Sequence, residues 1–271
     1  MPIFESTSEK LSILSNFDNF NGVSIMISKA ANISNPVYFN DLLIKDARVY
    51  LFDSLISKPW IIQFDSVKQL YIDNNLFPLD GHKYKIKVEW TKHNIESKWK
   101  SIPTIPILKL LDKSVTFDKD TFQGGYHLKY TILLADKDPS VNYFSGGISQ
   151  LNSDFSRVIE FPDYVQKDEI CGYRGSILPD LCLNGQNIEI KLSGSILKNI
   201  RINGKPYYLG KYYIYLYSIS PSFYFYKLSF EEPDAFERYF INPSITKSDY
   251  QDALGYFAIK NISVFDSLLI K

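Results

Sequence analysis

The chain of 271 residues carries 30 Lys plus Arg against 30 Asp plus Glu, and 45% of its residues are apolar. A net charge of zero supplies neither the basic excess that nucleic acid requires nor an acidic tail, and the apolar share is that of a folded protein. No run reaches the roughly 18–20 apolar residues of a bilayer-spanning helix, and 20 Tyr with 19 Phe favour sheet over helix.

In chain order, residues 11–30 read as two short strands around a polar turn at 16–22, and 47–52 as an alternating strand closed by Asp53-Ser54. Residues 60–64 (WIIQF) give another. Residues 84–90 (YKIKVEW) alternate throughout, with Tyr84, Ile86, Val88 and Trp90 inward and three charged residues outward. Strands at such short intervals predict a small sandwich. Pro103 and Pro106 disfavour a continuing central strand, which places a boundary there. The expected fold class is mainly β: an Ig-like β-sandwich over 1–105 and a larger β-sandwich-like domain over 106–271.

Past the boundary, 114–117 predict a strand, and 126–134 (YHLKYTILL) put Tyr126, Leu128, Tyr130 and Ile132 on one face. Residues 188–194 alternate again. Asn203-Gly204 signals a type I′ hairpin joining 200–202 to an aromatic strand, where Tyr213, Tyr215 and Tyr217 alternate with Tyr212, Ile214 and Leu216. Aromatics on both faces call for cover on both. Ser220-Pro221 is a helix start, followed by Phe223, Tyr226 and Phe230 at helical spacing and a stop at Glu231-Glu232-Pro233. This short aromatic helix near 220–232 is the internal candidate for that cover. Residues 254–259 then lead into a final strand at 262–265.

Few residues signal chemistry. Cys171 and Cys182 read either as two unrelated thiols or as a disulfide closing a Gly- and Pro-containing loop. His82, His93 and His127 have no Cys, Asp or second His at ligand spacing, so no metal site is expected. Ser54 and Ser176 lack a nucleophile-elbow setting, and no cofactor motif occurs. Aromatics are the remaining candidates, because flat amphipathic rings stack on sugars or peptide side chains. Trp60, Trp99, Tyr207, Tyr208, Phe223 and Tyr224 form that set, weighed against simple core filling.

A series of landmarks carries a resemblance. An early strand ends in Ser28-Lys29, KDARVYLFDS spans 45–54, and a further strand opens with Gly81-His82-Lys83-Tyr84. Thr104-Ile105-Pro106 follows, then Tyr217-Ser218-Ile219-Ser220 with FYFY at 223–226, Asn242-Pro243, and LGYFAIKN at 254–261. In this order and spacing they resemble the Bacteroidota outer-membrane lipoproteins of domain-of-unknown-function family 4249, over nearly the whole chain. Relatives tend to carry a glycine-rich segment where this chain has SDYQD at 248–252. The resemblance implies a two-part β protein of the cell envelope, held at the outer membrane or cell surface only by an N-terminal lipid anchor that this sequence does not contain. It also implies work beside a TonB-dependent receptor, and it assigns no catalytic residue. The expected function is therefore non-enzymatic: cargo capture for, or capping of, a TonB-dependent transporter. The alternative is a stand-alone secreted carbohydrate- or peptide-binding protein.

Overall fold

The structure, a computed structural model, describes residues 10–29, 39–104, 107–118, 125–135, 143–150, 156–158, 177–179, 187–197, 201–202, 205–206, 210–221, 223–224 and 248–270. The protein is mainly β, in several sheets, with two compact units. One comprises Met1–Ile102 and Ser220–Lys260, the other Pro103–Ile219 and Asn261–Lys271. A single cut at 105/106 therefore does not describe the chain's path, because Ser220–Lys260 returns to the first unit.

The first unit contains β1 (Leu11–Asp18), β2 (Gly22–Lys29), the one-turn helix α1 (Phe39–Leu42), β3 (Arg48–Asp53), β4 (Ile56–Ile62), β5 (Phe64–Asp65), β6 (Leu70–Asp73), β7 (Lys83–Trp90), β8 (His93–Glu96) and β9 (Lys100–Ser101). One sheet runs β1-β2-β6-β5; the other runs β4-β3-β7-β8, with β9 also on β7. Asp18 closes the β1–β2 turn by accepting from the N–H groups of Phe20 and Asn21 at 2.9 and 2.6 Å. The alternation read from the sequence decides which side chains meet. Leu11, Ile13, Phe17, Ile25 and Ile27 of one sheet share a core with Val49, Leu51, Tyr84, Ile86, Val88 and Ile95 of the other. Trp90, expected inward, is half-buried and packs against that core.

The second unit contains β10 (Ile107–Asp118), β11 (Gly125–Ala135), β12 (Tyr143–Gln150), β13 (Ser156–Val158), β14 (Ile177–Pro179), β15 (Asn187–Leu197), β16 (Arg201–Ile202), β17 (Lys205–Pro206) and β18 (Gly210–Ile219). A three-stranded sheet, β10-β11-β15, faces a second one in which β12 joins β13, β14 and β18. Their inner residues form one core: Leu128, Tyr130, Ile132 and Leu134 with Phe144, Ile148, Ile190, Leu192, Tyr212, Ile214 and Leu216. As the two-faced pattern requires, Tyr215 and Tyr217 on the opposite side of β18 are buried too. Ser218 Oγ donates to Thr104 O at 2.8 Å, and Asn261 Nδ2 to Pro103 O at 2.9 Å, which ties down the proline-flanked segment at this unit's start.

Three readings need correction. The Asn203-Gly204 signal does sit between paired strands, but β16 pairs with β17 (Ile202↔Lys205), not with the aromatic strand, which begins later at Gly210. The strand expected at 114–117 is the end of the twelve-residue β10. The final strand expected at 262–265 is part of a longer one, β19 (Ala253–Ile270), which takes in the 254–259 lead as well. Its first eight residues pair in parallel with β1, from Leu11↔Ala253 to Asp18↔Lys260, and from Asn261 onward it belongs to the second unit. Parallel pairing of the two ends of a chain leaves no local turn signal to read.

Buried tyrosines give this fold an alkaline limit. Tyr71 accepts from Ala47 N at 2.8 Å and donates to Ile44 O at 3.1 Å, Tyr84 accepts from Leu79 N at 2.9 Å, and the Tyr250 hydroxyl lies 2.7 Å from Ser15 Oγ. Burial raises all three above the ordinary tyrosine value of 10.0, and Tyr256 with them. The folded state thus keeps protons that the unfolded chain releases above about pH 10, so stability is full below that value and falls as pH rises through and beyond it. A titration followed at 295 nm should show a late group of phenols that ionise only with loss of the native circular dichroism. Ionisation of every tyrosine near pH 10 in the folded protein would contradict this.

Candidate functional site

The aromatic set does not gather at one point. Trp60 is registered opposite Leu51 and packs against the first core, so it serves the inner side of its sheet. Phe223 is buried. Ser220 O accepts from the N–H groups of Phe223 and Tyr224 at 3.0 and 3.2 Å, which is the helical turn that Ser220-Pro221 signals. Its ring meets Tyr256 edge-on at 4.8 Å, and the Lys260 ammonium lies 4.9 Å from the Phe223 centroid. Phe223 therefore covers Tyr256 of the first unit, while Tyr226, Phe230 and the stop expected at 231–233 lie outside the described residues. Tyr224 is half-buried. Tyr207, Tyr208, Cys171 and Cys182 lie outside the described residues.

Trp99 is different: 45% of it is exposed, just ahead of β9. The Lys85 ammonium lies 5.2 Å from the Trp99 ring centroid and 5.2 Å from that of Phe52, and it pairs with Glu96 at 2.6 Å. Register explains the assembly. β3 and β7 pair antiparallel with Phe52 opposite Lys85 and Tyr50 opposite Lys87, and β8 sets Glu96 opposite Lys87. Directly opposed residues share a face, so the outward charges of β7 meet the outward aromatics of β3. Tyr50 also donates to Glu89 at 3.4 Å, and Lys87 pairs with Glu89 at 2.7 Å. That hydrogen bond pushes Lys87 up and Glu89 down from their ordinary values. The strip is neutral, because each ammonium has its carboxylate. The Lys85 ammonium holds two ring faces in place and leaves much of Trp99 open to stack on a ring, beside carboxylates and ammonium groups that can hydrogen-bond hydroxyls or amides.

Sequence reasoning named Trp99 but missed Phe52, Lys85 and Glu96. The outward charges of residues 84–90 were legible; their aromatic partners were not, since Phe52 and Lys85 stand 33 positions apart in the chain. The same long-range pairing puts His82 Nδ1 2.6 Å from the buried Asp53 carboxylate and stacks His82 on Tyr84, so this histidine does have an acidic partner. His127 Nδ1 lies 2.9 Å from Ser195 Oγ, and His93 stacks on Trp90. Among the described residues no three His, Cys, Asp or Glu side chains gather as metal ligands would.

A family model, Domain of unknown function (DUF4249), matches residues 2–264. The chain belongs to the DUF4249 family. Comparison with curated proteins and with solved structures finds no match for either. The structure gives physical content to the stretches by which this DUF4249 chain resembled its family. In LGYF at 254–257, Tyr256 carries the Phe223 cover and Phe257 sits fully buried in the first core. SDYQD, at 248–252, forms a tight polar turn. Ser248 Oγ donates to Ala253 O at 2.7 Å, Asp249 N to Gly255 O at 3.1 Å, and the Asp249 carboxylate accepts from Phe257 N at 2.9 Å.

Proposed function

We propose that this DUF4249 protein is a non-enzymatic accessory of the cell envelope, lipid-anchored at the outer membrane, that captures cargo for a TonB-dependent transporter. One observation supports capture above capping: the half-open Trp99, whose ring is held by the Lys85 ammonium that also lies over Phe52. The envelope setting rests on the resemblance of the landmark segments from Ser28-Lys29 to LGYFAIKN, in order and spacing, to outer-membrane lipoproteins. Rigid rings bind with little loss of side-chain entropy, and the paired charges beside them, neutral in sum, suit uncharged, hydroxyl- or amide-rich cargo. The same strip would serve a stand-alone secreted carbohydrate- or peptide-binding protein, and that is the second reading.

The test is affinity purification of the tagged protein from native outer membranes after mild cross-linking, with a glycan array on the isolated chain. Recovery of a TonB-dependent receptor supports the first reading. Glycan binding without a receptor supports the second, and recovery in the cytoplasm removes both. On whichever cargo is bound, Trp99→Ala should weaken retention by about tenfold, the value of one stacked ring, with the thermal midpoint near that of the wild type. Unchanged retention would remove the Trp99 strip from the mechanism.

A further inference from the structure

We propose, on the reading that the Trp99 strip captures cargo, that this cargo is a neutral saccharide. One sugar ring lies with its C–H face on Trp99, its hydroxyls donate to Glu96, and the sugar chain runs along β7 toward Glu89. The two ion pairs of the strip are unequally open. Glu96 and Glu89 keep 44% and 35% of their side chains exposed, while their partners Lys85 and Lys87 keep 19% and 22%. Acceptors more than donors therefore meet solvent beside the exposed ring, and a carboxylate only accepts hydrogen bonds. Such a surface suits a ligand rich in O–H donors and disfavours an anionic one.

Spacing points the same way. Glu96 Oε2 and Lys85 Nζ stand 2.6 Å apart, an acceptor beside a donor. Hydroxyl oxygens on neighbouring carbons of a sugar are also about a hydrogen bond apart, so one can donate to the carboxylate while the next accepts from the ammonium. Lys85 and Lys87 share a face of β7, and the pair Lys87–Glu89, at 2.7 Å, repeats the arrangement two residues on. Two residues of strand cover about 7 Å, a step on the scale of one sugar unit. A peptide fits less well. Peptides bind sheets chiefly by adding a strand to an open edge. Here β3 is paired on both sides, by β4 and β7, and β7 lies between β3 and the pair β8 and β9. The main chain under the strip is thus already used. Recognition falls to side chains, and Trp99 supplies the flat apolar face on which a pyranose stacks.

The experiment titrates the full chain, by calorimetry, with neutral hexasaccharides of glucose, xylose, mannose and N-acetylglucosamine, and with a blocked proline-rich peptide. At least one sugar should bind with a Kd below about 1 mM. Trp99→Ala should weaken that binding by about tenfold, and Glu96→Ala by at least about fivefold through loss of a charge-assisted hydrogen bond. Both variants should keep the wild-type circular dichroism and unfolding midpoint, since an exposed ion pair adds little stability. Monodeoxy forms of the bound sugar separate contact from support. The form lacking the hydroxyl that Glu96 takes should bind the wild type at least about fivefold more weakly, and Glu96→Ala within about twofold of the parent sugar. Absence of binding by every sugar up to about 5 mM overturns the saccharide assignment. So does sugar binding that Trp99→Ala and Glu96→Ala leave unchanged, or a deoxy loss that persists in full on Glu96→Ala. Trp99-dependent binding of the peptide in place of the sugars would leave capture by the strip standing, whereas native cargo retained equally by Trp99→Ala would remove the strip itself.

Discussion

Replacing Asp249 by alanine should destabilise the first unit by about 3–5 kcal/mol, the usual cost of leaving a buried charge without its partner. The Asp249 carboxylate takes the Lys100 ammonium at 2.5 Å and the Phe257 N–H at 2.9 Å, and Lys100 also donates to Phe257 O at 2.7 Å. Both side chains are nearly inaccessible, and burial holds Lys100 below its ordinary value against the opposing pull of Asp249. Without the carboxylate, an ammonium and a main-chain N–H lose their acceptor together. Lys100→Met/Asp249→Leu removes both charges and should recover much of the loss, since apolar pairs of similar volume often replace buried ion pairs at little cost. Denaturant unfolding read by tryptophan fluorescence is a clean measurement here, because all three tryptophans, Trp60, Trp90 and Trp99, lie in the first unit. A loss below about 1 kcal/mol for Asp249→Ala would mean that the pair is solvated, as exposed pairs are.

Gly255→Ala should be at least as damaging, by about 3 kcal/mol or more, with loss of soluble protein for Gly255→Val. Gly255 has φ +126°, a conformation closed to residues with a side chain, and a Cβ there would lie 1.9 Å from Ile13 O in β1. The parallel pairing of β1 with β19 needs that close approach, at Ile13↔Gly255. Gly81→Ala is the control: φ is +78°, but a Cβ would meet nothing within 4 Å, so only the cost of a left-handed backbone, about 1 kcal/mol, is expected. Similar losses for the two variants would show that conformation alone, not the approach of β1, sets the requirement at 255.

Period-two patterning was enough to give the class of fold, because a strand with a core face writes that face into alternate residues. Tyr84, Ile86 and Val88 are buried as the pattern of 84–90 requires, and so are Leu128, Tyr130 and Ile132. The helix start at Ser220-Pro221 was equally local. Pairing partners were not legible, since a strand's hydrogen bonds carry no side-chain code and join segments far apart. The pairing of β1 with β19, the return of Ser220–Lys260 to the first unit, and the meeting of Phe52 with Lys85 and of Asp53 with His82 all came from the tertiary fold. The sequence by itself determined which faces are apolar and where turns interrupt them. Only the assembled sheets decided which outward residues became neighbours, and hence that Trp99 stands half open beside Lys85 while Phe223 is buried against Tyr256.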